Sequence, residues 1–261
     1  MPKVKVVIGI PTEGNTQCEP YLNRLLFAFH LGVLQTENSN DLNKPQFEFY
    51  WASTGKIFTP MAREIIVDKA LKIGADYVFM IDDDMLAKPD VFEQLYKHNV
   101  DVVAALAFTR NPPHLPVIYT QREGWDPVAS REFVVTEWVT NYPKNKLVQC
   151  DAVGFGAVLI KMDVIKKMEI PYFMSSTGTG EDILFCLKAR KAGAKIFMDT
   201  SVKLGHVGAP VIIDEERFAE FNKPEEIEKT YGAYKKYDVW DVQHAELSQP
   251  ANKELVLSGR D

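Results

Sequence analysis

Three consecutive carboxylates, Asp82, Asp83 and Asp84, follow directly on the apolar run Tyr77-Val78-Phe79-Met80-Ile81. Like charges so close together repel, and a buried strand that ends in three of them needs something to offset the repulsion. Hard oxygen ligands of this kind suit Mg²⁺ or Mn²⁺ carrying phosphate oxygens. The plain structural reading has aspartates capping backbone amides where a strand becomes a loop. That reading fits a single aspartate; three after so apolar a strand point to a site.

Other residues further along could do chemistry. Glu181 and Asp182 follow the small-residue stretch Ser175-Ser176-Thr177-Gly178-Thr179-Gly180 and open an amphipathic segment. Acidic residues in a helix's first turn are favoured by its dipole, so a structural role competes there with a catalytic one. His206 sits between glycines in Gly205-His206-Val207-Gly208, where the backbone can fold tightly around a ligand. A lone histidine is more often structural. Gly154-Phe155-Gly156 is either a close-packed strand or a place for close backbone approach to a ligand. Trp125, Trp138 and Tyr142 can stack on a sugar or base, or pack a long loop.

These residues need a frame. Val4 to Ile10 is β-branched and stopped by Pro11, which predicts a buried strand running into a loop. A helix is expected from about Pro20 to Leu34, with Leu22, Leu25, Leu26, Phe29 and Val33 on one side. Phe47 to Trp51 reads as a second strand. The next helix has Thr59 as its cap, Pro60 in its first turn and Gly74 at its end. The apolar strand of Tyr77 to Ile81 follows, then a short helix (Pro89 to His98) and a strand (Val100 to Phe108). Strands alternating with helices predict an α/β fold with a mixed, largely parallel sheet flanked by helices. In such sheets ligands bind beyond the carboxyl ends of the strands, which is where Asp82 to Asp84 fall. Residues 110–147, rich in proline and aromatics, read as an irregular insert of loops and hairpins. Regular structure resumes at Ala152 to Ile160, with a helix from Gly180 to Ala192 and a strand at Lys195 to Met198. The expected organisation is one catalytic domain over 1–208 and a helical extension over 209–261, with helices near Glu215–Phe221 and Pro224–Lys236.

Composition narrows the class. Over 261 residues, 46% are hydrophobic and 25% charged, enough apolar material for one large core. A net charge of −6 provides no broad basic surface for nucleic-acid backbone. Three scattered cysteines without a Cys-x-x-Cys fit a reducing cytoplasm. No signal peptide and no membrane span are expected.

Val78-Phe79-Met80-Ile81-Asp82-Asp83-Asp84 resembles the Asp-x-Asp signature of GT-A glycosyltransferases. Ile8-Gly9-Ile10-Pro11-Thr12-Glu13 is similar to the first strand and nucleotide-binding loop of the family-2-like branch. Ala62-Arg63 resembles that branch's Ala-Arg-Asn, with Glu64 where asparagine would stand, and Gly180-Glu181-Asp182 resembles its Glu-Asp motif. The four lie in the family's order over about residues 4–208. The resemblance implies a GT-A (Rossmann-like) fold and sugar transfer from a nucleotide-sugar donor, UDP first, with Mn²⁺ (or Mg²⁺) as Lewis acid. It implies Asp84 as a metal ligand, with Asp82 on ribose, metal or both and Asp83 assisting either neighbour. Pro11, Thr12 and Glu13 would lie against base and ribose, Arg63 near donor phosphate, and Gly154 and Gly156 near donor sugar or acceptor. His206 would be the late metal ligand, an imidazole that favours Mn²⁺. Asp182 would be the general base of an inverting relative, supported by Glu181. The resemblance leaves inverting and retaining outcomes open.

Three other readings compete. A nucleotidyltransferase making nucleotide sugars would want a basic loop after the first strand, and Gly9 to Asn15 contains no Lys or Arg. A nucleotide-sugar-binding module without catalysis need not keep Asp82, Asp84, Asp182 and His206 together. A metal phosphoesterase would want more ligands than this chain's five histidines and scattered acids offer. The acceptor stays open between saccharide, the first expectation, and protein or modified nucleic-acid base.

Overall fold

The computed structural model describes residues 3–12, 14, 17–41, 43–126, 131–176, 179–208 and 212–221. In chain order its elements begin β1 (Val4–Ile10), α1 (Cys18–Ser39), β2 (Phe47–Ser53), α2 (Thr59–Ile73), β3 (Tyr77–Ile81) and β4 (Met85–Leu86). Then come α3 (Val91–Tyr96), β5 (Val102–Leu106), β6 (Ile118–Asp126), β7 (Arg131–Trp138), β8 (Leu147–Cys150), β9 (Ala152–Val153) and β10 (Ala157–Lys161). The described chain ends with α4 (Met162–Ile165), α5 (Glu181–Lys191), β11 (Ile196–Lys203), β12 (Gly205–Val207), β13 (Ile212–Ile213) and α6 (Glu215–Phe221). The expected helix at Pro224–Lys236 lies outside the described residues.

Seven strands form one mixed sheet in the order β2-β1-β3-β10-β5-β11-β8. β10 runs antiparallel between β3 and β5, and β8 antiparallel at the edge; the other five share one direction. The expected mixed α/β sheet is therefore what forms. Both of its faces are covered. Val7, Val78 and Met80 pack on one side with Ile66 and Val67 of α2 and Phe185 of α5. Val6, Ile8, Phe79 and Ile81 pack on the other with Phe27 and Leu31 of α1 and Phe92 of α3. That is why these strands read as continuous apolar runs instead of alternating ones.

α2 lies very close to β1. A Cβ on Gly9 would fall 2.5 Å from Cγ2 of Ile66, well inside contact distance. Gly9→Ala is expected to cost about 1–3 kcal/mol through this overpacking, seen as a lower urea midpoint with an unchanged slope. At its other end α2 closes as the sequence predicts, with Gly74 left-handed at φ 67°. Its start differs. Ala62 N bonds the Phe58 carbonyl, so Phe58 takes the cap position and Thr59 is already inside the first turn.

The largest departure is α1. Leu22, Leu25, Leu26, Phe29 and Val33 do share one side, but it is the solvent side, and Phe29 is 74% exposed. Phe27 and Leu31 enter the core instead. Beside them on the inner side, Asn23 exchanges two hydrogen bonds with the Ala87 backbone, and His30 meets Glu93 at 2.7 Å.

In the insert, β6 and β7 form a long hairpin, from Tyr119 opposite Trp138 to Asp126 opposite Arg131. Tyr142 is buried, and Trp138 packs against the core. The Trp125 side chain lies outside the described residues. From the region assigned to the extension, α6 sets Phe218 against Phe108 and Tyr142.

Candidate functional site

β1 and β3 are parallel neighbours with Gly9 beside Met80, so both chains leave the sheet at the same edge. There the Thr12 hydroxyl donates to the Asp83 carboxylate and accepts from Gly14 N at 2.9 Å. Asp82 N donates to the Gly156 carbonyl at 3.0 Å, and Met85 N returns to the Asp82 carbonyl at 3.3 Å. The three aspartates thus occupy a tight turn between β3 and β4. From behind, Arg24 of α1 donates to the Asp83 carbonyl at 2.8 Å.

His206 reaches this turn through a small second sheet. β12 pairs antiparallel with β4, His206 opposite Met85 and Gly205 opposite Leu86. Val207 N donates to the Asp84 carbonyl at 2.9 Å, and His206 Nε2 lies 3.1 Å from Asp84 Oδ2. His206 Nδ1 lies 2.8 Å from the Phe108 carbonyl, which can only accept, so Nδ1 is the donor there. The deprotonated ring then presents its Nε2 lone pair towards Asp84. A bond of this kind fixes the orientation and tautomer of a histidine ring. As the chain stands, His206 holds its proton more firmly than an ordinary histidine. Burial opposes this, but the bond to Asp84, its charge and the Phe108 carbonyl outweigh burial. Burial pushes Asp84 up, while His206 and Arg110, which also pairs with it, bring it below the usual carboxylate range. Burial raises Asp82 to about 6 despite Arg63, with Asp84 adding to the rise.

Arg63, expected near donor phosphate, is buried behind the aspartate turn. Its side chain is 3% exposed and bridges Asp82 Oδ1 at 2.8 Å and Glu181 Oε1 at 2.5 Å. Its guanidinium lies over the Phe155 ring, 5.2 Å from the centroid, and its buried Nε has no hydrogen-bond partner among the described residues. Burial opposes its charge, but Asp82, Glu181 and Asp182 outweigh burial and raise its pKa. It is a buried strut between the aspartate turn and α5. Glu64, standing where the resembled motif has asparagine, accepts from Phe173 N and ties α2 to the segment leading into α5.

Asp182 lies at the start of α5, where its Oδ1 accepts from Ile183 N at 2.8 Å. Burial raises its pKa, Arg63 opposes that, and Glu181 adds to it. A Cβ on Gly180 would come 2.6 Å from Asp182 Oδ1, so the glycine makes room for the carboxylate. Gly154 and Gly156 make room for protein. A Cβ would meet Val117 at 2.6 Å in the first case and Met85 at 3.1 Å in the second.

A cleft of about 490 Å³ opens over the turn. Pro11, Thr12, Asp82, Asp83 and Asp84 line it, together with Gln17, Thr59 and Arg110. Asp182, Glu181, His206, Arg63 and the two glycines are not among its lining residues, and Glu13 lies outside the described residues. Arg110 was legible in principle. It follows β5, whose carboxyl end faces the same way as that of β3, and a cation there is the counterpart of the aspartates. Gln17 and Thr59 carried no such signal.

Among the described residues no group of three or more His, Cys, Asp or Glu stands ready-made to hold a metal ion. The donor set of two carboxylates and an oriented imidazole nevertheless fits Mn²⁺ or Mg²⁺, with Arg63 and Arg110 now neutralising the carboxylates.

Neither a protein-family model nor a curated protein matches the chain. Solved structures do. Protein A197 from STIV is 18% identical, with 78% of this chain and 85% of that one covered and a TM-score of 0.46. GalNAc-T7 with UDP, GalNAc and Mn²⁺ is 14% identical, with 78% and 43% covered and a TM-score of 0.45. UDP-glucose pyrophosphorylase with UDP-glucose is 12% identical, with 84% and 97% covered and a TM-score of 0.45. Each is a distant likeness in fold. No helix among the described residues is long and apolar enough to cross a membrane.

Proposed function

We propose that this chain is a metal-dependent glycosyltransferase of GT-A type, moving sugar from a nucleotide sugar to an acceptor hydroxyl. UDP is the first nucleotide to test. The observation that carries the proposal is the Asp82–Asp84 turn in a cleft, with His206 held against Asp84 and Arg63 joining Asp82 to the start of α5. Asp82, Asp84 and His206 would hold Mn²⁺ or Mg²⁺, which would supply Lewis-acid stabilisation of the departing diphosphate. Pro11, Thr12 and Glu13 would face base and ribose. Arg110, half exposed at the cleft, offers a second positive charge to phosphate oxygens. Asp182 would take the acceptor hydroxyl's proton as that oxygen attacks the anomeric carbon and the bond to diphosphate breaks. A saccharide acceptor is the first to test, and residues 1–208 would be the catalytic unit, with 209–261 an extension.

A nucleotidyltransferase reading is weaker because, among the described residues lining the cleft, Arg110 is the only cation to grip a triphosphate. Thermal denaturation with nucleotide sugars, with and without Mn²⁺, tests the choice. At ligand about 100-fold above its Kd a metal-dependent rise of about 5 °C is expected, and Asp84→Ala should lose it. Below pH about 6 Asp82 takes up a proton, and the protonated His206 gives up its donor atom. Mn²⁺ binding should therefore weaken sharply from pH 7.5 to pH 5.5, and each ion bound should release protons to the buffer. Stabilisation by a nucleoside triphosphate with a sugar phosphate, and by no nucleotide sugar, would reverse the assignment.

A further inference from the structure

The outer face of α1 is apolar along most of its length. Tyr21, Leu22, Leu25, Leu26, Phe29 and Val33 are between 37% and 74% exposed, and they recur at the three- and four-residue spacing of one helix face. The six side chains carry no charge, and Glu37 stands at the C-terminal end of their face, lining a hollow beside Phe29. The helix's Arg24 and His30 are turned under this stripe, onto the Asp83 carbonyl and Glu93. An apolar surface of this size, left open among the described residues, marks an interaction site.

We propose that this face pairs with the same face of a second copy of the chain, the two α1 helices packing antiparallel across a two-fold axis near Phe29. Three observations choose that occupant. The stripe is self-complementary about Phe29: Leu25 falls opposite Val33 and Leu26 opposite Gly32, large against small. Beside Phe29 a hollow of about 360 Å³ lies over Gly32, where a Cβ would have nothing within 4 Å, so a neighbouring side chain can enter it. Six side chains left open by roughly 100 Å² each give ~1,200 Å² for the pair, the lower edge of a specific interface. A lipid surface fits less well, since the stripe has no flanking lysines and the chain carries a net charge of −6. The helix that would pair is also the one whose Arg24 bonds the Asp83 carbonyl of the aspartate turn and whose Asn23 bonds Ala87 just after β4, so the interface would brace the cleft of each copy.

Sedimentation equilibrium of the full chain from about 1 to about 100 µM tests this. A dimer is expected, and Phe29→Glu should return it to monomer with unchanged near-ultraviolet circular dichroism. Should Phe29→Glu fail to fold, Leu25→Lys on the same stripe is measured in its place. In a Cys18→Ser background, Phe29→Cys should give a disulfide-linked dimer on mild oxidation. A wild-type monomer throughout would overturn the proposal, whether residues 222–261 or nothing at all covers the stripe. So would a dimer that survives both charge substitutions, or a monomer that sediments with phosphatidylcholine vesicles.

Discussion

Replacing Arg63 with methionine is expected to destabilise the fold by about 3–5 kcal/mol, the usual result of removing one partner from a buried ion pair. The guanidinium is all but sealed from solvent and bonds Asp82 and Glu181 at once, with Asp182 close enough to add to its charge stabilisation. Without it, Asp82, Glu181 and Asp182 lose the cation they share. Methionine keeps most of the volume, so a cavity contributes little to the loss. Lysine keeps the charge but cannot reach both carboxylates in a fork, and Arg63→Lys should fall between the two. The loss also depends on pH, with a definite sign. Carboxyls deprived of Arg63 have raised folded-state pKa values, so their share of stability is present at low pH and disappears as pH rises through those values. Urea unfolding of Arg63→Met should therefore differ from wild type more at pH 7 than at pH 5. A difference under about 1 kcal/mol at pH 7 would mean that water or a shifted side chain replaces the guanidinium.

Asp182→Asn is expected to lower turnover by about 10²–10⁴-fold, the range for a positioned general base, while donor affinity stays as it was. Arg63 bonds Glu181, whereas Asp182 is half-buried and accepts from Ile183 N. Its pKa is raised by burial, which makes it a better proton acceptor than an ordinary carboxylate. The substitution keeps the shape and the bond to Ile183, so the fold should be retained. Nucleotide-sugar binding followed by calorimetry separates this proposed role from the proposed metal site, because Asp84→Ala should abolish the binding that Asp182→Asn leaves intact. Near-wild-type turnover in Asp182→Asn alongside a large fall in Glu181→Gln would transfer the base to Glu181.

Much of this protein is determined locally and can be read from the chain. The strand of Val4 to Ile10, the close of α2 at Gly74, the strand ending at Asp82 and the start of α5 after Gly180 all follow from β-branching, turn residues and apolar period. Those are short-range steric and hydrogen-bonding preferences, so they survive without knowledge of neighbours. The aspartate turn itself was visible for the same reason: its meaning lies in adjacent residues.

Only the tertiary structure decided what each element faces. Periodicity shows that α1 has an apolar face, yet the stronger stripe of Leu22 to Val33 is open and the helix is seated by Phe27, Leu31, Asn23 and His30. Nothing in the residues around Arg63 marks it for burial; the approach of α5 encloses it between Asp82 and Glu181. His206 and Asp84 are 122 residues apart and meet because β12 returns to pair with β4. Such pairings depend on which crossover brings two strands together, and that choice is settled by packing over the whole sheet. The three aspartates announced a site in the sequence. The fold brought His206 against Asp84, enclosed Arg63 between Asp82 and Glu181, and set Arg110 at a cleft over the turn.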